Sequence, residues 1–190
     1  MIKAVIFDLY GVLGLNGWQS FKAEHFANQP EAWDQVREIG KRVDEGRANQ
    51  QEFVAAVAEA TGYDETMIRA QFEDTKPNKP LLEFIAAKLA GSYKIGLLSN
   101  TSRDVFSTVF SPEELGLFDA VLSSFHVGLV KPDPAMFTLM CEKLHIAPDE
   151  AIMVDDKAKH VAAAQKLGMQ TVQYDSAEQA IAAIERLLAA

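Results

Sequence analysis

Five short apolar runs, Lys3 to Phe7, Lys94 to Ser99, Ala120 to Ser123, Ala151 to Val154 and Gln170 to Tyr174, set the strongest limit on what this chain can fold into. Each is of strand length, and amphipathic helical patterns separate the later ones. Near-continuous apolar runs of this kind suit strands buried on both faces, which parallel sheets provide when helices cover them on either side. The expected fold is therefore α/β, a parallel sheet with helices on both faces. One covering helix is legible in detail: Pro80 opens it, Leu81, Leu82, Ile85 and Leu89 form its buried stripe, and Gly91 closes it in a left-handed conformation.

Between the first run and the second, the chain is far longer than one crossover helix requires, and most of the excess reads as helix. This predicts a helical domain over residues 14–79, inserted into a core made of residues 1–13 and 80–190. Pro30 and Glu31 start one helix carrying Trp33, Val36, Ile39 and Val43 before Gly46. Asn49 and Glu52 resemble a capping box ahead of Phe53, Val54 and Val57. A third helix begins near Asp64, carries Met67, Ile68 and Phe72, and ends before Pro77.

A chain of 190 residues, 48% hydrophobic and 24% charged, can bury one sizeable core with a small appended domain. The formal net charge of -9 argues against nucleic acid and anionic membranes as general partners, since both are met by clustered Lys and Arg. The single cysteine, Cys141, excludes an intrachain disulfide and a cysteine-based zinc cluster. Phe137, Met140, Cys141 and Leu144 share a helical face, which assigns Cys141 to the core. The N-terminus offers too few apolar residues before Asp8 for a signal peptide, and no run approaches the ~18 residues of a membrane span. The expected location is cytoplasmic.

In open parallel sheets, ligands bind outside the carboxyl ends of the strands, near the point where strand order reverses. At those ends this chain places Asp8, then Ser99-Asn100-Thr101, then Lys131 in the loop Val130-Lys-Pro-Asp-Pro134, then Asp155-Asp156. Each alone is an ordinary turn, cap or solvated acid. Together they bring a candidate nucleophile, a hydroxyl, a lysine and an acidic pair to one rim.

Three carboxylates in one cleft raise each other's pKa unless a cation compensates. Oxygen ligands of this kind suit Mg²⁺, which prefers octahedral geometry at about 2.1 Å and keeps a substrate phosphate in its shell. Lys131 and the Ser99 hydroxyl would then hold the remaining phosphoryl oxygens.

The chain resembles the haloacid dehalogenase-like hydrolase superfamily over nearly its whole length. The resemblance implies a Rossmann-like core, a helical cap that closes over the site and selects substrate, and Mg²⁺ as cofactor. Asp8 matches the nucleophile that becomes an aspartyl-phosphate, Ser99 the second motif and Lys131 the third. Asp155-Asp156 matches the acidic fourth motif, which holds Mg²⁺ together with the nucleophile and the main-chain carbonyl two residues on, that of Tyr10. Leu97 to Tyr174 is most similar to the sugar-phosphate phosphatases and the phosphatase domain of soluble epoxide hydrolase. The implied activity is hydrolysis of a small phosphorylated metabolite by a monomer or homodimer, with Asn100 and Trp18 as further candidate substrate contacts.

Two positions depart from the phosphatase pattern. Most phosphatases of the superfamily carry Asp where Tyr10 stands and use it as general acid and base. Relatives also usually have Asn where His160 stands. The Asp-Leu-Tyr-Gly stretch is instead similar to the first motif of 2-haloacid dehalogenases, in which aspartate attacks carbon and no metal is needed; Arg37, Arg42 or Arg47 would then receive the substrate. The Asp155-Asp156 pair opposes that reading, because a carboxylate substrate gains nothing from added negative charge. A third alternative is a weakly active or inactive phosphate-binding protein. His25, His126 and His145 lack ligand spacing and read as surface or capping groups. His160, one turn into the helix after Asp156, reads as facing solvent in preference to contacting a carboxylate.

Overall fold

The computed structural model describes residues 1–44, 47–73, 75–101 and 104–189. Its strands are β1 (Ala4–Phe7), β2 (Gly14–Leu15), β3 (Lys76–Pro77), β4 (Lys94–Ser99), β5 (Ala120–Ser123), β6 (Ala151–Asp155) and β7 (Gln170–Gln173). Five form one parallel sheet in the order β5-β4-β1-β6-β7, and β2 and β3 form a separate two-stranded sheet. The chain thus runs outward from β1 to β5, then returns to the other side of β1 for β6 and β7. Strand order reverses beside β1.

β1 shows why the apolar runs are continuous. Val5 and Phe7 point to one face, where Ile95, Leu97, Ile152 and Val154 meet them under the helices Lys79–Phe84 and Ala177–Leu188. Ala4 and Ile6 point to the other, against Leu98, Met153 and the helix Pro134–Leu144. Side chains alternate along a strand, so a strand packed on both faces needs an apolar residue at every position. Met136, Phe137, Met140, Cys141 and Leu144 are all buried on their helix, and burial pushes the Cys141 thiol up to about 11. It is a packing residue.

The helix opened by Pro80 buries Leu81, Leu82, Ile85 and Leu89 as expected, although its last turn, Ile85–Leu89, widens into a π-helix. Gly91 follows with φ +83. Asn78 ties the start of this helix to the first loop, its amide donating to the Val12 carbonyl at 2.8 Å and to the Tyr174 hydroxyl at 2.9 Å.

The chain divides into two compact units, Met1–Leu15 with Pro77–Ala190, and Asn16–Lys76. The second holds the helices Trp18–Phe26, Pro30–Asp44, Gln50–Thr61 and Glu65–Glu73 around a small core of Phe21, Phe26, Val36, Val54, Val57 and Ile68. Of the stripe expected on Pro30–Asp44, only Val36 is buried, while Trp33, Ile39 and Val43 are half-buried. Met67 is exposed, where the sequence pattern joined it to Ile68 and Phe72. A unit this small has too little interior to cover every apolar side chain. Asn49 accepts the Glu52 N–H at 3.0 Å, but Glu52 returns to the Asn49 side chain instead of its main chain, which makes half a capping box. Gly46, expected to end the second helix, lies outside the described residues. Among the described residues, no helix is long and apolar enough to cross a membrane.

Candidate active site

Register brings the acids together. Phe7 pairs with Leu97 on one side and Val154 on the other, so Asp8 and Asp155 leave neighbouring strands at the same level. The Asp8 N–H donates to the Val154 carbonyl at 2.9 Å, which extends the ladder one step and fixes the backbone of Asp8 against β6. The Leu9 N–H in turn donates to Asp8 Oδ1 at 2.6 Å.

Lys131 reaches the same point from the loop after β5. Its Nζ lies 2.8 Å from Asp8 Oδ1 and 2.7 Å from Asp155 Oδ2, and the lysine is wholly buried. Asn100 holds it there: Oδ1 accepts the Lys131 N–H at 2.8 Å and Nδ2 donates to the Lys131 carbonyl at 2.9 Å. Asn100 thus spends both ends of its amide on the backbone of the lysine. Ser99 is buried beside it at the end of β4, its hydroxyl 3.4 Å from the Asn100 carbonyl.

Asp155 is engaged on both oxygens. Besides Lys131, it accepts the Lys157 N–H at 2.9 Å, and His160 Nδ1 lies 2.9 and 3.0 Å from its two oxygens. His160 is therefore buried against a carboxylate, which corrects the expectation that it faces solvent. It falls on the inner face of the helix Ala158–Lys166 with Val161 and Ala164, and that i, i+4 relation to Ala164 was the signal available in the sequence.

Asp156 is different. Its Oδ1 is buried with no hydrogen-bond partner among the described residues. Its Oδ2 rests where a side chain on Gly11 would be, since a Cβ there would lie 2.7 Å away, and Gly11 has φ +84. Glycine serves the loop on both counts. Tyr10 is half-buried, with its ring packed on the core cluster that contains Phe7 and Leu97. Trp18 belongs to the helical unit and sits in an aromatic group with Phe21, Trp33, Phe53 and Phe72.

The electrostatics record a surplus of negative charge. Burial pushes the Asp8 carboxyl up to about 8, with Lys131 pulling against that and Asp155 adding to it. Asp156 is also raised, by burial and then by Asp155. Asp155 stays below the usual carboxylate range despite its burial, because Lys131 and His160 stabilise its charge. Burial opposes the charge on Lys131, yet Asp8 and Asp155 raise its pKa, so the ammonium persists. Burial lowers the pKa of His160 in spite of Asp155, and a neutral imidazole beside the ionised Asp155 donates its Nδ1 N–H to it. Asp8, Asp155 and His160 also bring potential ligand atoms within 4.8 Å of one another.

A family model described as haloacid dehalogenase-like hydrolase matches residues 2–168. The chain belongs to that hydrolase family. It is similar to the D-ribitol-5-phosphate phosphatase of Bacteroides thetaiotaomicron, 28% identical over 192 residues that cover 91% of this chain and 92% of that protein. Among solved structures, a protein of Porphyromonas gingivalis described as a predicted HAD-like family hydrolase matches with a TM-score of 0.66 and 29% identity, covering 99% of this chain and 98% of its own. A HAD family enzyme of Bacteroides thetaiotaomicron, solved in complex with magnesium and inorganic phosphate, matches with a TM-score of 0.57 and 25% identity over 92% of this chain and 95% of that one. The α/β Rossmann-like sheet described above is the fold of this hydrolase family.

Proposed function

We propose that this family member is a Mg²⁺-dependent phosphatase of a small phosphorylated metabolite, acting in the cytoplasm as a monomer or homodimer, with Asp8 as nucleophile and the helical unit as its cap. The observation that carries the reading is the buried Lys131 bridge between Asp8 and Asp155, with the unpartnered Asp156 oxygen in the same cluster. That unsatisfied oxygen and the raised carboxyls fit a hard divalent cation. Asp8, the Tyr10 main-chain carbonyl and the Asp155-Asp156 pair would hold it, Asp156 presenting the oxygen not already engaged. When bound, magnesium screens the carboxylates from an anionic substrate and stabilises charge on the phosphoryl oxygens.

The residues of the chain do the rest. Asp8 Oδ attacks phosphorus and the bond to the leaving oxygen breaks, which leaves the phosphoryl group on Asp8. Lys131 holds charge on the transferring oxygens, and Ser99 orients one of them. Asn100 fixes Lys131 through its backbone, while His160 and Lys131 hold Asp155 in place. Water then attacks phosphorus, and the electron pair of the broken bond returns to the Asp8 carboxylate. The net charge of -9 supports a small-molecule substrate in preference to nucleic acid.

Phosphate release from p-nitrophenyl phosphate, measured in Mg²⁺ and in EDTA beside chloride release from 2-chloropropionate, tests this. Mg²⁺-dependent phosphate is expected. EDTA-insensitive chloride would instead favour the dehalogenase reading, which Tyr10 supports.

A further inference from the structure

The chemistry of the leaving group is where this site stands apart. A phosphatase of this kind must cut a bond to an oxygen that departs with an electron pair, and a basic oxygen departs slowly unless an acid protonates it. Among the described residues of the core unit, the lysine, carboxylates and histidine gathered around Asp8 all have other tasks. Lys131 is bound between Asp8 and Asp155, Asp155 is held on both oxygens, and the Nδ1 of His160 is turned to Asp155 in a hydrogen bond. Asp156 carries the oxygen assigned above to the metal. Position 10, two residues past the nucleophile, carries no carboxyl, and its ring packs on the core.

We infer that the site acts on phosphoryl compounds whose leaving group is stable as an anion, namely acyl phosphates, enol phosphates and phosphoanhydrides, in preference to alkyl phosphates. The inference rests on the phosphatase reading above. Asp8 Oδ forms its bond to phosphorus as the bond to the leaving oxygen breaks, and the electron pair leaves on a carboxylate, enolate or phosphate that needs no proton to be stable. Water then attacks the aspartyl-phosphate, one of its protons passes to solvent, and free phosphate and the Asp8 carboxylate are regenerated. Without a carboxylate base to take that proton, this second step is slow, so the phosphorylated protein accumulates.

The test compares p-nitrophenyl, phenyl and benzyl phosphate on the Mg²⁺-loaded protein, three esters of similar shape whose leaving oxygens are successively more basic, with acetyl phosphate as a fourth. The expected kcat/KM falls by about 10²–10⁴ from p-nitrophenyl to benzyl phosphate, the factor a positioned general acid would otherwise supply. Acetyl phosphate is cleaved at least as well as p-nitrophenyl phosphate, and a burst of p-nitrophenolate precedes its steady state. Tyr10→Asp narrows the gap in kcat/KM between p-nitrophenyl and benzyl phosphate; if that variant does not fold, the wild-type series decides alone. Equal kcat/KM across the three esters would overturn the inference while leaving the phosphatase reading intact. Silence on all four compounds would overturn that reading and the inference with it.

Discussion

Lys131 Nζ lies 2.8 Å from Asp8 Oδ1, with the lysine side chain wholly buried and that of Asp8 only 7% exposed. The same ammonium is 2.7 Å from the ionised Asp155, so one cation serves two buried acids. Taking away one partner of a buried ion pair strands the other charge, which costs roughly 3–5 kcal/mol. Lys131→Met should therefore lower the unfolding free energy by about that amount in urea titration. It should also cut phosphatase activity by about 10²–10³, the usual effect of removing one preorganised stabiliser of transition-state charge.

Gly11 and Gly91 share nearly the same backbone conformation, φ +84 and +83, yet only Gly11 faces Asp156; around Gly91 there is open space. Alanine at either site carries a left-handed strain of about 1–2 kcal/mol. At position 11 it must also displace the Asp156 carboxylate. Gly11→Ala should weaken Mg²⁺ binding about 10–100-fold by calorimetry, the range typical when the support of a metal ligand is lost. Gly91→Ala should leave Mg²⁺ affinity unchanged.

The acidity of Asp8 gives metal binding a proton signature. Its folded pKa, pushed up to about 8, means the metal-free protein carries that proton at neutral pH, whereas a bound cation requires the ionised form. Mg²⁺ binding at pH 7 should release about one proton, seen as a buffer-dependent enthalpy, and affinity should rise up to about tenfold per pH unit until roughly pH 8 and then level off. Stability has the matching sign. A raised folded pKa favours the native state below the unfolded value and withdraws that support as pH climbs through about 8, so the metal-free protein should melt lower at pH 8.5 than at pH 6.

His160 tests the second carboxylate. Its Nδ1 proton is shared by both oxygens of Asp155, and the ring is buried. His160→Ala should cost about 1–3 kcal/mol, as a buried charged acceptor loses a donor. His160→Asn, which keeps an N–H of similar reach, should recover most of that loss in thermal denaturation.

The inner strands β1, β4 and β6 were open to sequence reading because they are buried on two faces and read as near-unbroken apolar runs, whereas the edge strands β5 and β7 leave Val121, Gln170 and Gln173 exposed; β4 and β5 match the expected limits residue for residue. The helical unit was harder, since its small interior leaves Trp33, Ile39 and Val43 half-covered and periodicity overstates their burial. The gathering of Asp8, Lys131, Asp155 and Asp156 followed from a topological rule about strand ends. What each contacts did not follow, because a hydrogen bond depends on register and rotamer. Nothing in the Ser-Asn-Thr stretch indicated that Asn100 clasps the backbone of Lys131, a partner distant in sequence. Burial of His160 was hidden by its polarity, although its place on an inner helix face with Ala164 pointed inward.

The central claim, that Asp8 is the atom-bearing nucleophile of a metal-dependent phosphatase, is tested most directly by acid-quenching the protein during turnover of p-nitrophenyl phosphate and mapping the phosphoryl group by mass spectrometry. A phosphoryl group is expected on the peptide containing Asp8, formed with Mg²⁺, absent in EDTA and absent in Asp8→Asn. Turnover at the same rate in EDTA, with that peptide unmodified, would contradict it.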